Sequence, residues 1–344
     1  MKSKVSIVMV VLNGEKYIAE ALDSIAAQTY TNYELVLVDD GSTDRTPEIV
    51  NQRRDRMEIR YIRHSANHGI TRSINDGIRA CTGDYITFLD HDDAWFPHML
   101  STQVGYMEAH PGAGMVHADF QTIDPKGNII EPSVAVCRQR KRPDGEALRE
   151  LFQESHVVAN TAVVRKSVMD EMKGYDERLY WGDYHLWMRI ALRYPIGYSP
   201  LVLAKYRQHP SQSTRTYSTE RPDKDSVAMQ AIKLLLDEHP EARRRLGEKT
   251  IRRRMASLYY EMAYAWLWQG MRSHSRICLR RAISLWPSKL GYYVTYLASF
   301  LSQPQAAAVR KGWHWFRGLF VSRRRQNEQV NRALGTSPRP GAIA

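Results

Sequence analysis

The feature that most constrains this chain is an alternation of short Val/Ile-rich runs with stretches of helical spacing, two of the runs ending in clustered carboxylates. Val5–Leu12 is continuously apolar, as expected of a strand buried on both faces. Glu15–Gln28 then carries Ile18, Leu22 and Ile25 at helical spacing. Glu34–Asp40 reads as a second strand, Asp44–Arg54 as a short helix, Ile59–His64 as a third strand and Thr71–Ala80 as a helix. Tyr85–Asp90 is a fourth strand and Gly114–Phe120 a fifth. This spacing predicts βαβ units, and so an α/β fold with a mostly parallel sheet and helices on both faces. Ligands of such sheets sit outside the carboxyl ends of the strands. The acidic clusters stand at those ends: Asp39-Asp40 after the second strand, Asp90-His91-Asp92-Asp93 after the fourth.

Residues 121–212 are less regular, with a polar loop at Lys126–Gly145 and a helix predicted from Tyr184 to Arg193. Pro222–Lys224 marks a boundary. Beyond it the pattern is helical, with Ile251–Gly270 and Ser273–Trp286 forming a pair stopped by Pro287. The expected organisation is a first domain over 1–225, a basic helical region over 226–335 and a disordered tail over 336–344. From Glu241 onward Lys and Arg number 20 against 4 Asp and Glu, so this part carries +16 of a net +12 and residues 1–240 carry −4. Cys81, Cys137 and Cys278 are widely spaced and form no CxxC pair, which argues against both a disulfide framework and a zinc site and fits a reducing cytoplasm. Asn13-Gly14-Glu15-Lys16 stands where a signal peptide would need a small-residue cleavage site. The longest uncharged apolar run, Leu290–Leu301, is too short to span a bilayer.

Two carboxylates one residue apart at a strand end can converge on one hard cation and leave sites open for phosphate oxygens. Taken alone, Asp92 or Asp93 could equally cap a helix beginning near Trp95. Val36–Asp44 (VLVDDGSTD) is, likewise, a tight turn into a helix capped by Ser42 or Thr43. No GxGxxG follows the first strand, so the dinucleotide fingerprint is missing.

Together with Asn67-His68-Gly69, Asn75-Asp76-Gly77 and Gly83–Asp90, these motifs resemble the family 2 glycosyltransferases of the GT-A fold. Val5–Asn13 (VSIVMVVLN) is similar to the family's first strand, and VDDGSTD, NxGxxxxxNxG and FLDxDD follow in order. Gly174-Tyr175-Asp176-Glu177 resembles GGFDE, Trp181–Ala191 the EDxDLxLRxA helix, and Tyr206-Arg207-Gln208-His209 the YRxH motif. The resemblance covers about residues 5–213 and implies a nucleotide-sugar-binding half over 1–120 and an acceptor-binding half over 121–225. It implies an inverting enzyme using a nucleotide-diphosphate sugar, a UDP-sugar by expectation, and Mg²⁺ or Mn²⁺. The implied donor-binding residues are Val11, Asn13, Asp39, Asp40, Asn67, Asn75, Asp90, Asp92 and Arg207. Among them Asp39 would bond the base, beside Asn13 and the backbone around Val10–Leu12. Asp90 would face the ribose or the metal shell. Asp92 would hold the cation, His209 would approach it or the diphosphate from the far side, and Asp183 would be the general base.

The sequence departs from the family pattern at three points. Val10-Val11 replaces Pro-Thr, Ile74 stands where Arg is common, and Gly182-Asp183-Tyr184-His185 replaces an acidic run. The last departure keeps open a second reading, a nucleotide-sugar or polyanion binder without turnover. The segment Lys311–Arg325 (KGWHWFRGLFVSRRR) mixes Trp and Phe with clustered Arg. That composition suits an anionic membrane surface better than nucleic acid. The expected acceptor is a glycan or lipid-linked hydroxyl in bacterial cell-surface polysaccharide synthesis, on the inner face of the cell membrane.

Overall fold

The computed structural model describes residues 2–137, 144–154, 157–212, 226–301 and 305. Pro222–Lys224, Lys311–Arg325 and the expected disordered tail lie outside the described residues. The chain divides into two compact units, Met1–Arg254 and Met255–Ala344.

The first unit is built on one sheet. Its first half alternates as the sequence pattern requires: β1 (Val5–Val11), α1 (Ile18–Ala26), β2 (Tyr33–Asp39), α2 (Thr46–Asn51), β3 (Ile59–Arg63), α3 (Ile70–Ala80) and β4 (Tyr85–Phe88). These strands lie in the order β3-β2-β1-β4 and every pairing among them is parallel. β1 is central in this half, and its residues alternate between two covered faces. Val5, Ile7, Met9 and Val11 join Leu35, Leu37 and the buried face of α1 in the main core. On the other face α3 approaches so closely at Gly77 that a Cβ there would lie 2.7 Å from Val8 Cγ1.

The second half contributes β5 (Ala94–Trp95), α4 (Met99–Ala109), β6 (Met115–Ile123), β7 (Ile129–Glu131), α5 (Val134–Cys137), α6 (Leu148–Gln153), β8 (Val163–Arg165), α7 (Lys166–Met172), α8 (Asp183–Ala191) and β9 (Ile196–Arg207). The sheet continues β4-β8-β6-β9-β5, with β7 beside β6. Here β6 and β9 are parallel, whereas β8 runs antiparallel to both β4 and β6 and β5 runs antiparallel to β9. The parallel sheet expected from the sequence thus holds through β4 and becomes mixed beyond it. β9 was not legible as a strand, because Gly197 and Pro200 interrupt its apolar pattern. It bends where its register with β6 shifts, around Ala118–Phe120.

After residue 225, α9 (Val227–Glu238) packs on α8 and α10 (Pro240–Leu246) on α9. The division between the units falls within α11 (Glu248–Trp268). In the second unit α12 (Arg272–Leu285) packs against α13 (Leu290–Ala298). No helix among the described residues is long and apolar enough to cross a membrane.

Candidate active site

The acidic cluster follows β4. Asp93 N–H donates to Asp90 O at 3.1 Å and closes a turn. The reading of Asp92 or Asp93 as a helix cap does not hold: Ala94–Trp95 pairs with β9 as β5, and the next helix starts only at Met99. Asp93 is buried instead, accepting the Arg207 backbone N–H at 2.8 Å and the Asn160 amide at 2.6 Å. It pins the turn to β9 and to the 3₁₀ turn Ala159–Thr161.

That leaves Asp90 and Asp92 to face outward. Asp92 Oδ2 lies 2.8 Å from His209 Nε2, and Ser211 Oγ holds the other ring nitrogen at 3.0 Å. One carboxylate oxygen from each of Asp90, Asp92 and Asp93 lies within 4.8 Å of the others. The Asp90 side chain opens to solvent on one side and is crowded by protein on the rest. Desolvation, then the charges of Asp92 and Asp183, push it up to about 7. Desolvation, with Asp92 and Asp90, also drives Asp93 well above the carboxylate range. Converging carboxylates that repel one another, two of them without a strong internal partner beyond one imidazole, fit a hard divalent cation of the Mg²⁺ or Mn²⁺ kind.

Asp183 opens α8, and its charge is among those that raise Asp90. Burial raises its carboxyl against the backbone N–H bonds of the helix start, which lower it. Gly182 before it replaces the family's acid for a steric reason. A Cβ there would lie 2.6 Å from Tyr175 Cδ1 and 2.8 Å from Tyr175 Cβ. The Tyr175 ring packs edge-on against Phe88 and Trp187, which joins the end of β4 to α8.

The donor-binding residues implied by the resemblance fall into three groups. Asp90 and Asp92 are open toward the cluster. Asn75 and Arg207 are saturated by the protein. The Asn75 amide donates to Tyr175 O and Glu177 Oε1 and accepts Tyr175 N–H, at 2.9, 3.0 and 2.9 Å. It therefore holds the 175–177 segment, and through it Asp183, against α3. Arg207 is 2% exposed. Its guanidinium donates to the carbonyls of Asp92 and Asp124 and to Glu20 Oε2, over the Tyr17 ring.

The third group lies at the ends of β1 and β2. Val11 pairs with Asp39 in register. Asp39 accepts Ser42 N–H at 2.7 Å and the Tyr61 hydroxyl at 2.6 Å. Asn13, in the left-handed region at φ 54°, donates its N–H to Ser42 Oγ and accepts Thr43 N–H. Asp40 turns the other way, accepting the N–H groups of His68 and Gly69 and contacting His64 Nδ1 at 2.8 Å. Burial raises its carboxyl, but these bonds, His64 first among them, outweigh that and hold it below the usual range. Asn67 is exposed and closes the loop by accepting Gly69 N–H.

Sequence reasoning missed the supporting residues Glu20, Tyr17, Asn160 and Ser211. The first three act through contacts distant in sequence, so no local pattern marks them.

The chain was compared with known proteins. The model of the family described as "Glycosyl transferase family 2" matches residues 6–173. EpsE of Bacillus subtilis, a glycosyltransferase by name, is 31% identical over 67% of this chain and 83% of its own length. A glycosyltransferase of Rickettsia typhi, named as uncharacterized, is 31% identical over 62% of this chain. The chain spans 66% of that relative's length and 36% of its Rickettsia felis counterpart. Among solved structures, mannosyltransferase PcManGT from Pyrobaculum calidifontis, in complex with GDP-Man and Mn²⁺, superposes with a TM-score of 0.59 at 18% identity, covering 92% of this chain and 81% of that one. S. aureus TarS 1-349 in complex with UDP-GlcNAc gives 0.52 at 16% identity, covering 90% and 92%. The structural likenesses show the GT-A fold; the family match and the EpsE match show that the chain belongs to glycosyl transferase family 2.

Proposed function

We propose that the chain is an inverting glycosyltransferase that moves a sugar from a nucleotide-diphosphate donor, a UDP-sugar, to a hydroxyl of a glycan or lipid-linked acceptor. The observation that supports this reading is the pairing of Asp90 and Asp92 at the strand ends, with Asp183 near enough to Asp90 for its charge to raise that carboxyl. Asp90 and Asp92, with His209 beside them, are the residues that would hold Mg²⁺ or Mn²⁺. The cation supplies positive charge against the departing diphosphate. The turn at Val11, Asn13 and Asp39 receives the base. Asp183 accepts the proton of the acceptor hydroxyl as the acceptor oxygen bonds to the anomeric carbon and the bond from that carbon to the diphosphate oxygen breaks. Burial raises its carboxyl, which makes it a stronger base toward the acceptor's proton.

The domain limits at 225 and 335, and a membrane contact through the basic aromatic Lys311–Arg325, belong to this reading. It places the work on the inner face of the cell membrane, in cell-surface polysaccharide synthesis. A thermal-shift series of nucleotide diphosphates and their sugars, with and without Mn²⁺, tests it. One UDP-sugar should stand out, with Mn²⁺ enlarging the shift. Donor consumption should then follow in the presence of an acceptor. Tight binding with no turnover over a broad acceptor panel would replace it with the binding-only reading.

A further inference from the structure

A stripe of apolar side chains faces solvent in the second unit. Leu290, Tyr293 and Leu297 recur along α13 at spacings of three and four, and Phe300 follows in the turn that closes the helix. Leu290 is 61% exposed, Leu297 68% and Phe300 58%, with Tyr293 at 38%. The opposite side of α13 is packed. There the Tyr292 ring lies 4.9 Å from the Tyr260 ring of α11, and the Thr295 hydroxyl is 3.1 Å from that of Tyr260. The helix is anchored by one face and bare on the other.

The border of the stripe is cationic. Arg272, Arg276 and Arg280 stand four residues apart and so share one side of α12. Arg276 ties that side to the stripe, its guanidinium 4.8 Å from the centre of the Phe300 ring and donating to Ser299 O at 3.3 Å. From Met262 to Leu301 the chain carries Arg272, Arg276, Arg280, Arg281 and Lys289 and no Asp or Glu. A second copy of the chain is a poor cover, because a two-fold contact apposes each patch to itself and would press like charges together. Anionic headgroups above acyl chains supply both the opposite charge and the apolar cover.

We propose that Leu290, Tyr293, Leu297 and Phe300, bordered by Arg272, Arg276 and Arg280, form a docking surface for an anionic lipid bilayer. α13 lies in the plane of the headgroups, with the two leucines and Phe300 at the acyl boundary and the Tyr293 hydroxyl at headgroup level. The arginine stems run along apolar surface and carry their charge to the lipid phosphates. The contact is peripheral, since no helix among the described residues is long and apolar enough to cross a membrane. It rests on the membrane-bound reading of the enzyme, and it lies on residues other than Lys311–Arg325, so the two contacts can fail separately.

The test is sedimentation of the full chain with vesicles of phosphatidylcholine alone and of phosphatidylcholine mixed with phosphatidylglycerol. The natural chain should bind the mixed vesicles, and high salt should weaken the binding. Leu290→Gln combined with Leu297→Gln, both at exposed positions, should weaken it at least about tenfold. Arg272→Gln and Arg280→Gln should each weaken it about fivefold. Donor consumption without vesicles should stay unchanged in all of these variants. Binding undiminished by the leucine changes would overturn the proposal; if Trp313→Ser, Trp315→Ser and Phe316→Ser together abolish it instead, the membrane reading still stands. No binding of the natural chain to either vesicle would overturn both. Self-association that the leucine changes abolish, without vesicle binding, would overturn the bilayer in favour of a second copy.

Discussion

His209 Nε2 lies 2.8 Å from Asp92 Oδ2 across 117 residues of sequence. Arg207, two residues earlier, runs its buried guanidinium beneath the same turn and grips the Asp92 carbonyl. The last residues of β9 and those just after it therefore place the imidazole and hold the acidic turn in shape. This arrangement fits a cluster that must present open carboxylates to a cation without collapsing on itself.

Asp92→Ala should abolish metal-dependent donor turnover while leaving the fold intact. His209→Ala should weaken Mn²⁺ by about 10–100-fold, since it removes a group that ligates or orients. Mn²⁺ titration of donor consumption measures both. Normal activity in Asp92→Ala would refute the role given to the cluster.

Asp183→Asn should lower kcat by about 10²–10⁴-fold, the usual contribution of a positioned base, with nucleotide affinity unchanged. Steady-state kinetics beside a nucleotide titration separates the two. A parallel loss of affinity would mean that the residue acts on the donor instead.

Arg207→Met should destabilise the protein rather than change its chemistry. The substitution keeps volume but leaves the carbonyls of Asp92 and Asp124 without their donor, at a cost of about 2–4 kcal/mol. Urea unfolding reads this directly. Unchanged stability with lost donor binding would support the donor role that the resemblance implies for Arg207.

His185 is 1% exposed, and among the described residues neither ring nitrogen has a hydrogen-bond partner. Desolvation, then the Arg189 charge, push it down to about 4 from the ordinary 6.5. The unfolded chain therefore binds a proton that the folded one resists. Stability is full above pH 6.5 and falls as pH drops toward 4, by roughly 3 kcal/mol for this group. His185→Leu should flatten that part of the pH–stability curve; an unchanged slope between pH 6.5 and 4 would show that other groups set it.

The parallel half was legible because each step there is local. Val5–Val11 had to be a doubly covered strand, and α1 shows its apolar face by spacing alone. The mixed half was not, because β8 has three residues and β9 carries Pro200 within a bend. Their pairings rest on partners up to 114 residues away, as between Asp93 and Arg207. The same distance hid the support of the site. Asn75 and Arg207 carry polar groups suited to a ligand, and only the surrounding carbonyls and Glu20 show those groups already satisfied.

The sequence by itself determined the order of strands and helices to β4, the acids at two strand ends and the family. Those properties depend on residue type and short-range periodicity, which need no partner. Tertiary structure alone decided that Asp93 is a buried brace, that Asp183 comes near enough to raise Asp90, and that Tyr175 leaves no room for a Cβ at 182. Each depends on burial and on contacts between segments that meet only when the sheet closes.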